Sequence, residues 1–540
     1  MPPPSSAVQE HYELVSAQPR SVPCRYWIIL LCGLGLVISY ADRSNMSVAI
    51  VAISQEHGYT KSQQGLILAS FFFGYILTPI LGGALADRYG GKHVLGFAGL
   101  MWSVFTLLTP LASSMGLVWI VLARIALGLG EGFAYPSVHA MIGTWIPPAE
   151  RSKAVATVTG FAYMGTVVAL PTSSALVVSS WGWRSVFWLF GILGLIWSAV
   201  WQIFGASEPA SCYWITEQEL RWILTQQQLD QDGAPATYQS LATSTALENE
   251  TPVASRPLGD HQSEFQSSML SSPRRTSDEN LLGSRTDTTG AHSTQFADSQ
   301  PSRWQAFRNQ VRSQASRHRR HETKRANKEP VPWKALLARR EVWAIILSQL
   351  FNSFGFFVMQ SWAPTFYLDY YGVDVGKIGF YSVLPSAVQG IVGLIAGYLG
   401  DKAVQDWNWT TLRVRRVSQA VGSLGLGAFL MITVFVADTA ALAMALITIG
   451  MALNGFTLIG ASAYQHDFCP QYAGFIFSLG NTAGSTPALI GVFLVGKLLE
   501  GGAGRWVMIW LIVCLFYVVG TTAFVLLSTN RKFPHTITAR

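Results

Sequence analysis

Two short stretches hold the residues best able to do chemistry. Tyr40-Ala41-Asp42-Arg43-Ser44-Asn45-Met46-Ser47 sets an acid beside an arginine, and Arg124-Ile125-Ala126-Leu127-Gly128-Leu129-Gly130-Glu131-Gly132 sets an arginine seven residues before an acid. Both stretches interrupt long apolar runs. An ionisable side chain at bilayer depth costs about 2.5–3.5 kcal/mol by insertion scales, so it usually faces a polar cavity or a partner. On a helix, Arg124 and Glu131 share a face and stand about 10.5 Å apart along the axis. Arg43 and Arg124 together read as an anion site, because guanidinium offers forked, always-charged donors to phosphate or carboxylate. Glu131 reads as the coupling group: a carboxylate held out of water can take up and release a proton, or help to hold Na⁺. Asp42 either joins that coupling role or neutralises an arginine. The alternative is a permanent lock in which Asp42 and Glu131 neutralise both arginines.

Weaker polar signals surround these four. Tyr135 lies four residues beyond Glu131 on nearly the same face, within reach of a bound solute. Asn352 and Asn481 are candidate solute contacts, and with His139, Gln360, Gln389 and Asn454 they either line a pore or bond neighbouring helices. No His/Asp/Glu or Ser/His cluster offers a catalytic constellation. The five cysteines are scattered without metal-ligand spacing. Neither catalysis, a metal nor a cofactor is expected, beyond a coupling ion that is Na⁺ or H⁺.

The elements that must position these groups are transmembrane helices. Only 12% of the 540 residues are charged and 50% are hydrophobic, against roughly 25% charged in an average soluble protein. Six apolar runs fall between residues 28 and 205 and six more between 342 and 528, many near the length that a bilayer core demands. The predicted fold is an all-α membrane protein with twelve transmembrane helices in two pseudo-symmetric six-helix bundles. Residues 1–26 form a cytosolic tail, 27–206 the first bundle, 207–341 a disordered cytosolic linker, 342–528 the second bundle and 529–540 a second tail. Pro171, Pro364 and Pro487 are expected to kink their helices.

A repeated loop supports the duplication. Gly83-Ala84-Leu85-Ala86-Asp87-Arg88 follows the second run, and Gly397-Tyr398-Leu399-Gly400-Asp401-Lys402 follows the eighth. The reading is a conformational latch: Gly83 and Gly397 allow close helix contact, while Asp87–Arg88 and Asp401–Lys402 tie helix ends together. Short segments on one side are rich in Lys and Arg, which places both termini and the linker in the cytosol. The net charge of +7 comes from residues 303–340, where twelve cations meet two acids. It reports a loop, and no nucleic-acid partner is expected. Within that loop Trp304, Phe307 and Val311 share a helical face, and Ser272-Pro273-Arg274-Arg275-Thr276-Ser277 resembles a phosphorylation patch. The expected partners are a small anionic solute and the lipid bilayer, with the chain acting as a monomer.

The paired Gly-x-x-x-Asp-Arg/Lys loops resemble the major facilitator superfamily. Asp42 to Ile50, Ser70 to Tyr75, Gly128 to Pro136, Trp145 to Ser152, Ser361 to Phe366 and Asn481 to Gly484 resemble its anion:cation symporter branch more narrowly. That branch includes plant phosphate carriers, sialin and vesicular glutamate and nucleotide carriers. The resemblance implies transport of an anion driven by Na⁺, H⁺ or membrane potential, with the substrate-contacting arginines falling on Arg43 and Arg124 and the fourth-span acid on Glu131. Leu68 stands where glutamate carriers have a His, and Asn352 where they have an Arg, which disfavours glutamate. Inorganic phosphate is the leading expectation, then a sialate-like carboxylate or a nucleotide. A non-transporting membrane sensor on the same scaffold is the alternative of another class.

Overall fold

A computed structural model describes residues 23–231, 333–469, 473–531 and 533, all within one compact unit. Twelve of its helices are long and apolar enough to cross a membrane. In hydrocarbon each backbone N–H and C=O must be satisfied within the protein, so uninterrupted helices are the economical answer to these runs. Spans 1 to 6 are Cys24–His57, Lys61–Ala86, Gly91–Ser114, Leu117–Trp145, Lys153–Val178 and Arg184–Phe204. Spans 7 to 12 are Arg340–Tyr371, Val375–Gln405, Thr411–Val436, Ala440–Gln465, Leu479–Leu499 and Ala503–Leu527.

The duplication is visible in local backbone chemistry. Span 1 ends at Gly58, at φ 68°, and Thr60 then caps span 2 by accepting from the Gln63 N–H. Span 7 ends at Gly372, at φ 65°, and Asp374 caps span 8 by accepting from the Gly376 N–H. Both turns therefore read Gly-x-(Thr/Asp), with glycine in the left-handed conformation and an oxygen-bearing N-cap two residues later.

The two halves meet at the end of the molecule that carries these turns. Lys61 Nζ lies 2.6 Å from Asp369 Oδ2. Ser174 Oγ of span 5 accepts from the Gly379 N–H of span 8 at 3.2 Å and donates to the Val375 carbonyl. Spans 2 and 11 come within backbone contact where Gly65 faces Gly496. At the opposite end the ion pairs Arg25–Glu150 and Arg415–Asp467 each stay inside one half. The molecule is thus drawn together at its Lys61 end.

Several boundaries differ from the sequence expectation. Residues 207–231 are not a disordered linker: Glu217–Gln231 is a helix that buries Leu220 and Ile223, and Glu219 accepts from the N–H groups of Cys24 and Arg25 at 2.8 and 2.9 Å. Averaging polarity over the whole segment hides this amphipathic turn-and-helix. At the far end of that stretch, Trp333–Leu337 is a short helix with Leu336 buried. Within the stretch expected to be a C-terminal tail, Thr529 and Phe533 pack on the second bundle: Thr529 Oγ1 donates to Glu341 and Phe533 is buried beside Phe468. The patches at 272–277 and 304–311 lie outside the described residues.

The latch glycines do not make the close contact expected of them. A Cβ at Gly83 or Gly397 would meet open space, and the tight approaches fall instead at Gly82, against Phe133, and at Gly400, against Ile459. Arg88 stacks on Tyr89, and Asp401 and Lys402 are exposed. The Asp87 side chain lies outside the described residues. The helices run continuously through Pro171, Pro364 and Pro487. Span 2 breaks at Thr78-Pro79, span 4 at Gly132-Phe133 and span 10 at Gly455–Ile459.

Candidate functional site

Spans 2 and 4 cross in backbone contact. A Cβ at Gly74 would overlap the Ile125 carbonyl, and one at Gly128 would overlap the Phe71 carbonyl, so the crossing requires glycine on both sides. It carries the Phe71 ring against the arginines. Arg43 Cζ lies 4.7 Å from the Phe71 centroid and Arg124 Cζ lies 5.3 Å from it, so one ring separates two like charges and attracts both. The rings of Tyr40 and Tyr75, also 4.7 Å from Arg43, complete an aromatic box around that guanidinium.

Glu131 is the last residue of the first segment of span 4, Leu117–Glu131. A carboxylate at a helix C-terminus faces the negative end of the macrodipole and calls for a cation. Arg43 supplies it: Nη2 and Nε donate to Glu131 Oε2 at 3.0 and 3.3 Å. One of the two arginines expected to be free is therefore paired, across helices and not with its neighbour in sequence. Arg124 is different. Its Nε and Nη1 are buried with no hydrogen-bond partner among the described residues, as are Glu131 Oε1 and both oxygens of Asp42. Of the alternative lock, in which Asp42 and Glu131 neutralise both arginines, only the Arg43–Glu131 half is hydrogen-bonded.

A cavity of about 280 Å³ opens onto both guanidiniums. Arg43, Arg124 and Ser47 line it from the first half, Gln360 and Ser361 from the second, and Leu68, Phe71 and Phe72 form its apolar wall. A second cavity, of about 660 Å³, adjoins it through Gln360. Tyr40, Ser44, Tyr163 and Thr166 line it from the first half, with Tyr367, Ser382, Ser386 and Gln389 among the residues of the second.

The remaining candidates fall elsewhere. Tyr135 packs edge-on against Tyr40 at 6.1 Å, one ring behind Arg43, and lines neither cavity. Asn352 lines neither cavity, and its Oδ1 accepts from Ser423 Oγ at 2.8 Å, bonding span 7 to span 9. Asn481 lines neither cavity. Gln360, which reads in the sequence as one of several weak polar signals, bridges both cavities. Phe71 enters the sequence reading only as part of the Ser70–Tyr75 stretch, and the Gly74–Gly128 crossing is what sets its ring against both guanidiniums.

Comparison with known proteins agrees with this architecture. Residues 32–492 match the family model described as Major Facilitator Superfamily. The "Ascorbate transporter, chloroplastic" of Arabidopsis thaliana is 29% identical over 98% of this chain and 80% of its own. "Sodium-dependent phosphate transport protein 1, chloroplastic", also of Arabidopsis thaliana, is 28% identical over 97% of this chain and 85% of its own. The crystal structure of a D-xylose-proton symporter superposes with a TM-score of 0.60 at 13% identity, covering 94% of this chain and 99% of that one, a likeness of fold alone. The chain belongs to the major facilitator superfamily, in its anion:cation symporter branch.

Proposed function

We propose that this protein is a secondary active transporter that moves an anion by alternating access, with inorganic phosphate as the leading substrate and Na⁺ or H⁺ as the driving ion. The observation that carries the reading is that Arg43 and Arg124 open onto one cavity bounded by both halves of the molecule. A tetrahedral oxyanion there accepts from the idle donors of Arg124 and competes with Glu131 for Arg43. Gln360 and Ser361 bring the second half into contact with the same solute, so binding favours closure. Protonation of Glu131 releases Arg43 to the anion, which is how a proton would couple to anion binding. The relative named as a sodium-dependent phosphate transport protein supports phosphate.

With both termini in the cytosol, as the cation bias predicts, the end joined by Lys61–Asp369 faces away from the cytosol and the conformation is inward-facing. The membrane is an endomembrane, plastid or plasma membrane, and the chain acts as a monomer.

A hydroxylated organic anion is the second reading, favoured by the second cavity, whose tyrosine, serine and glutamine groups meet the arginine cavity at Gln360. The relative named as an ascorbate transporter fits this reading. Proteoliposomes loaded to give Na⁺ and pH gradients decide between them. Accumulation of radiolabelled phosphate is expected, with sialate, glutamate and ATP compared. Flux of an organic anion in place of phosphate selects the second reading. Absence of flux for every anion leaves the non-transporting sensor.

A further inference from the structure

Cys24 and Cys212 stand 188 residues apart in sequence and bring their sulfurs to 3.5 Å. Cys24 opens span 1, and Glu219 accepts from its N–H at 2.8 Å. Cys212 follows the short turn Pro209–Ser211 beyond span 6, and its N–H donates to the Pro209 carbonyl at 3.1 Å. Anchoring of the backbone on both sides keeps the two sulfurs in register. Buried cysteine often serves as small apolar filling, but filling does not require sulfur against sulfur. Cys514, for contrast, gives its thiol to the Gly427 carbonyl at 3.1 Å.

The pair is covered, yet it lies close to the surface. Cys24 is 4% exposed and Cys212 1%. Ser211 and Tyr213, on either side of Cys212, are exposed, as are Tyr26 and Trp27 near Cys24. A surface groove lined by Trp27, Leu31, Phe204, Tyr213 and Trp214 runs past these residues. Sulfurs covered this closely exclude a reagent of glutathione's bulk, whereas hydrogen peroxide is nearly as small as water. In a reducing compartment the open dithiol is the resting form.

We propose that Cys24 and Cys212 form a redox-sensitive staple, which a small hydroperoxide closes into a disulfide and a dithiol reductant reopens by exchange. One sulfur attacks the peroxide: an S–O bond forms, the O–O bond breaks, and the departing oxygen leaves as water with the thiol proton. The other sulfur then displaces the remaining oxygen from the sulfenic acid, forming the S–S bond and releasing a second water. Two electrons pass from the sulfurs to the peroxide, and no other group is consumed. The closed bond joins the start of the helix that carries Asp42 and Arg43 to the segment that leads into the 217–231 helix. A link between residues so distant in sequence strongly constrains the unfolded chain.

The purified full-length protein tests the staple without any substitution. After brief exposure to hydrogen peroxide, the remaining thiols are alkylated and the protein is digested for mass spectrometry. The expected result is a peptide pair linked through Cys24 and Cys212, with the loss of both as alkylatable thiols. The melting temperature should rise above that of the untreated protein, and a dithiol reductant should reverse all of these changes. Cys24→Ser and Cys212→Ser should each abolish the link and the shift, whereas Cys32→Ser should abolish neither. Sulfinic acid at either position without a linked peptide, or both thiols alkylating as before, overturns the proposal. A linked peptide with unchanged melting overturns it too, because a bridge that constrains nothing is not a staple. None of these readouts depends on which anion the protein moves.

Discussion

Glu131 and Asn454 occupy the same place in the two halves of the molecule. Each is the last residue of the first segment of a broken helix, in span 4 and span 10, and each is followed by Gly-Phe. Their bonding differs. Asn454 Oδ1 accepts from Gln389 Nε2 at 2.9 Å and its Nδ2 donates to the Gly422 carbonyl at 3.4 Å, all within the second half. Glu131 reaches Arg43 and keeps one oxygen unsatisfied. One half thus carries a neutral joint residue bonded through both of its amide atoms, where the other carries a charged one with an oxygen left over.

That asymmetry separates coupling from stability. Glu131→Gln is expected to retain anion exchange while losing gradient-driven accumulation, because the amide still fills the site but no longer takes a proton or competes as an anion for Arg43. Asn454→Ala is expected to lower stability by about 1–3 kcal/mol through the orphaned Gln389 amide, while the ratio of accumulation to exchange stays that of the parent. Counterflow and net uptake in the same proteoliposomes, beside thermal melting, read all four values. Equal loss of exchange and accumulation in Glu131→Gln contradicts the coupling role.

Arg124→Ala is expected to reduce uptake to background at normal protein level. The substitution gives up no hydrogen bond from Nε or Nη1, since neither makes one. Arg124→Lys keeps the charge and loses the fork, so binding should weaken by about tenfold or more with transport still measurable. Membrane content by immunoblot and initial uptake rates check both.

The path of the chain is legible in its sequence because lipid imposes one answer on each apolar run, and Asp42, Arg43, Arg124 and Glu131 stand out for the same reason. What the sequence hides is pairing. Asp42 beside Arg43 looks like an ion pair, yet neighbours on a helix point about 100° apart, and Arg43 pairs with Glu131 on another span. Asn352 and Gln360 are equally plain polar residues on span 7. Two helical turns separate them, and only the packing of span 9 gives Asn352 to Ser423 and leaves Gln360 to the cavities. The break at Thr78 is marked locally by Pro79, which opens the next segment, but the break at Gly132 rests on a close approach in which a Cβ would overlap Thr78 Oγ1, a tertiary fact.

The Lys61–Asp369 pair and the Gly65–Gly496 approach close one end of the molecule, and they should be separable. Lys61→Asp with Asp369 unchanged sets two carboxylates together and favours the state open at that end; the exchanged pair, Lys61→Asp with Asp369→Lys, should restore the parental balance. Gly496→Val places side-chain atoms against the Lys61 carbonyl and Gly65. It should stop the cycle while leaving anion binding near parental, because it lies outside both cavities. Accessibility of a cysteine introduced at Ser62 to a membrane-impermeant thiol reagent reports the open state, and equal labelling of all variants would refute the gate.

Glu219 offers a test of the segment beyond span 6. Its carboxylate takes the first two N–H groups of span 1, Arg25 Nη1 stands 3.6 Å away, and Trp222 covers the Arg25 guanidinium at 4.4 Å. Span 1 carries Asp42 and Arg43, so a loosened start to that helix loosens the site it positions. Glu219→Ala leaves two helix N–H groups and a buried guanidinium short of an acceptor, at a cost of about 1–3 kcal/mol. Glu219→Gln keeps one acceptor oxygen and should fall between. The expected result is a lower melting temperature in that order, with faster hydrogen exchange over residues 24–30. Parental melting of Glu219→Ala would mean that the helix at 217–231 does not rest on span 1.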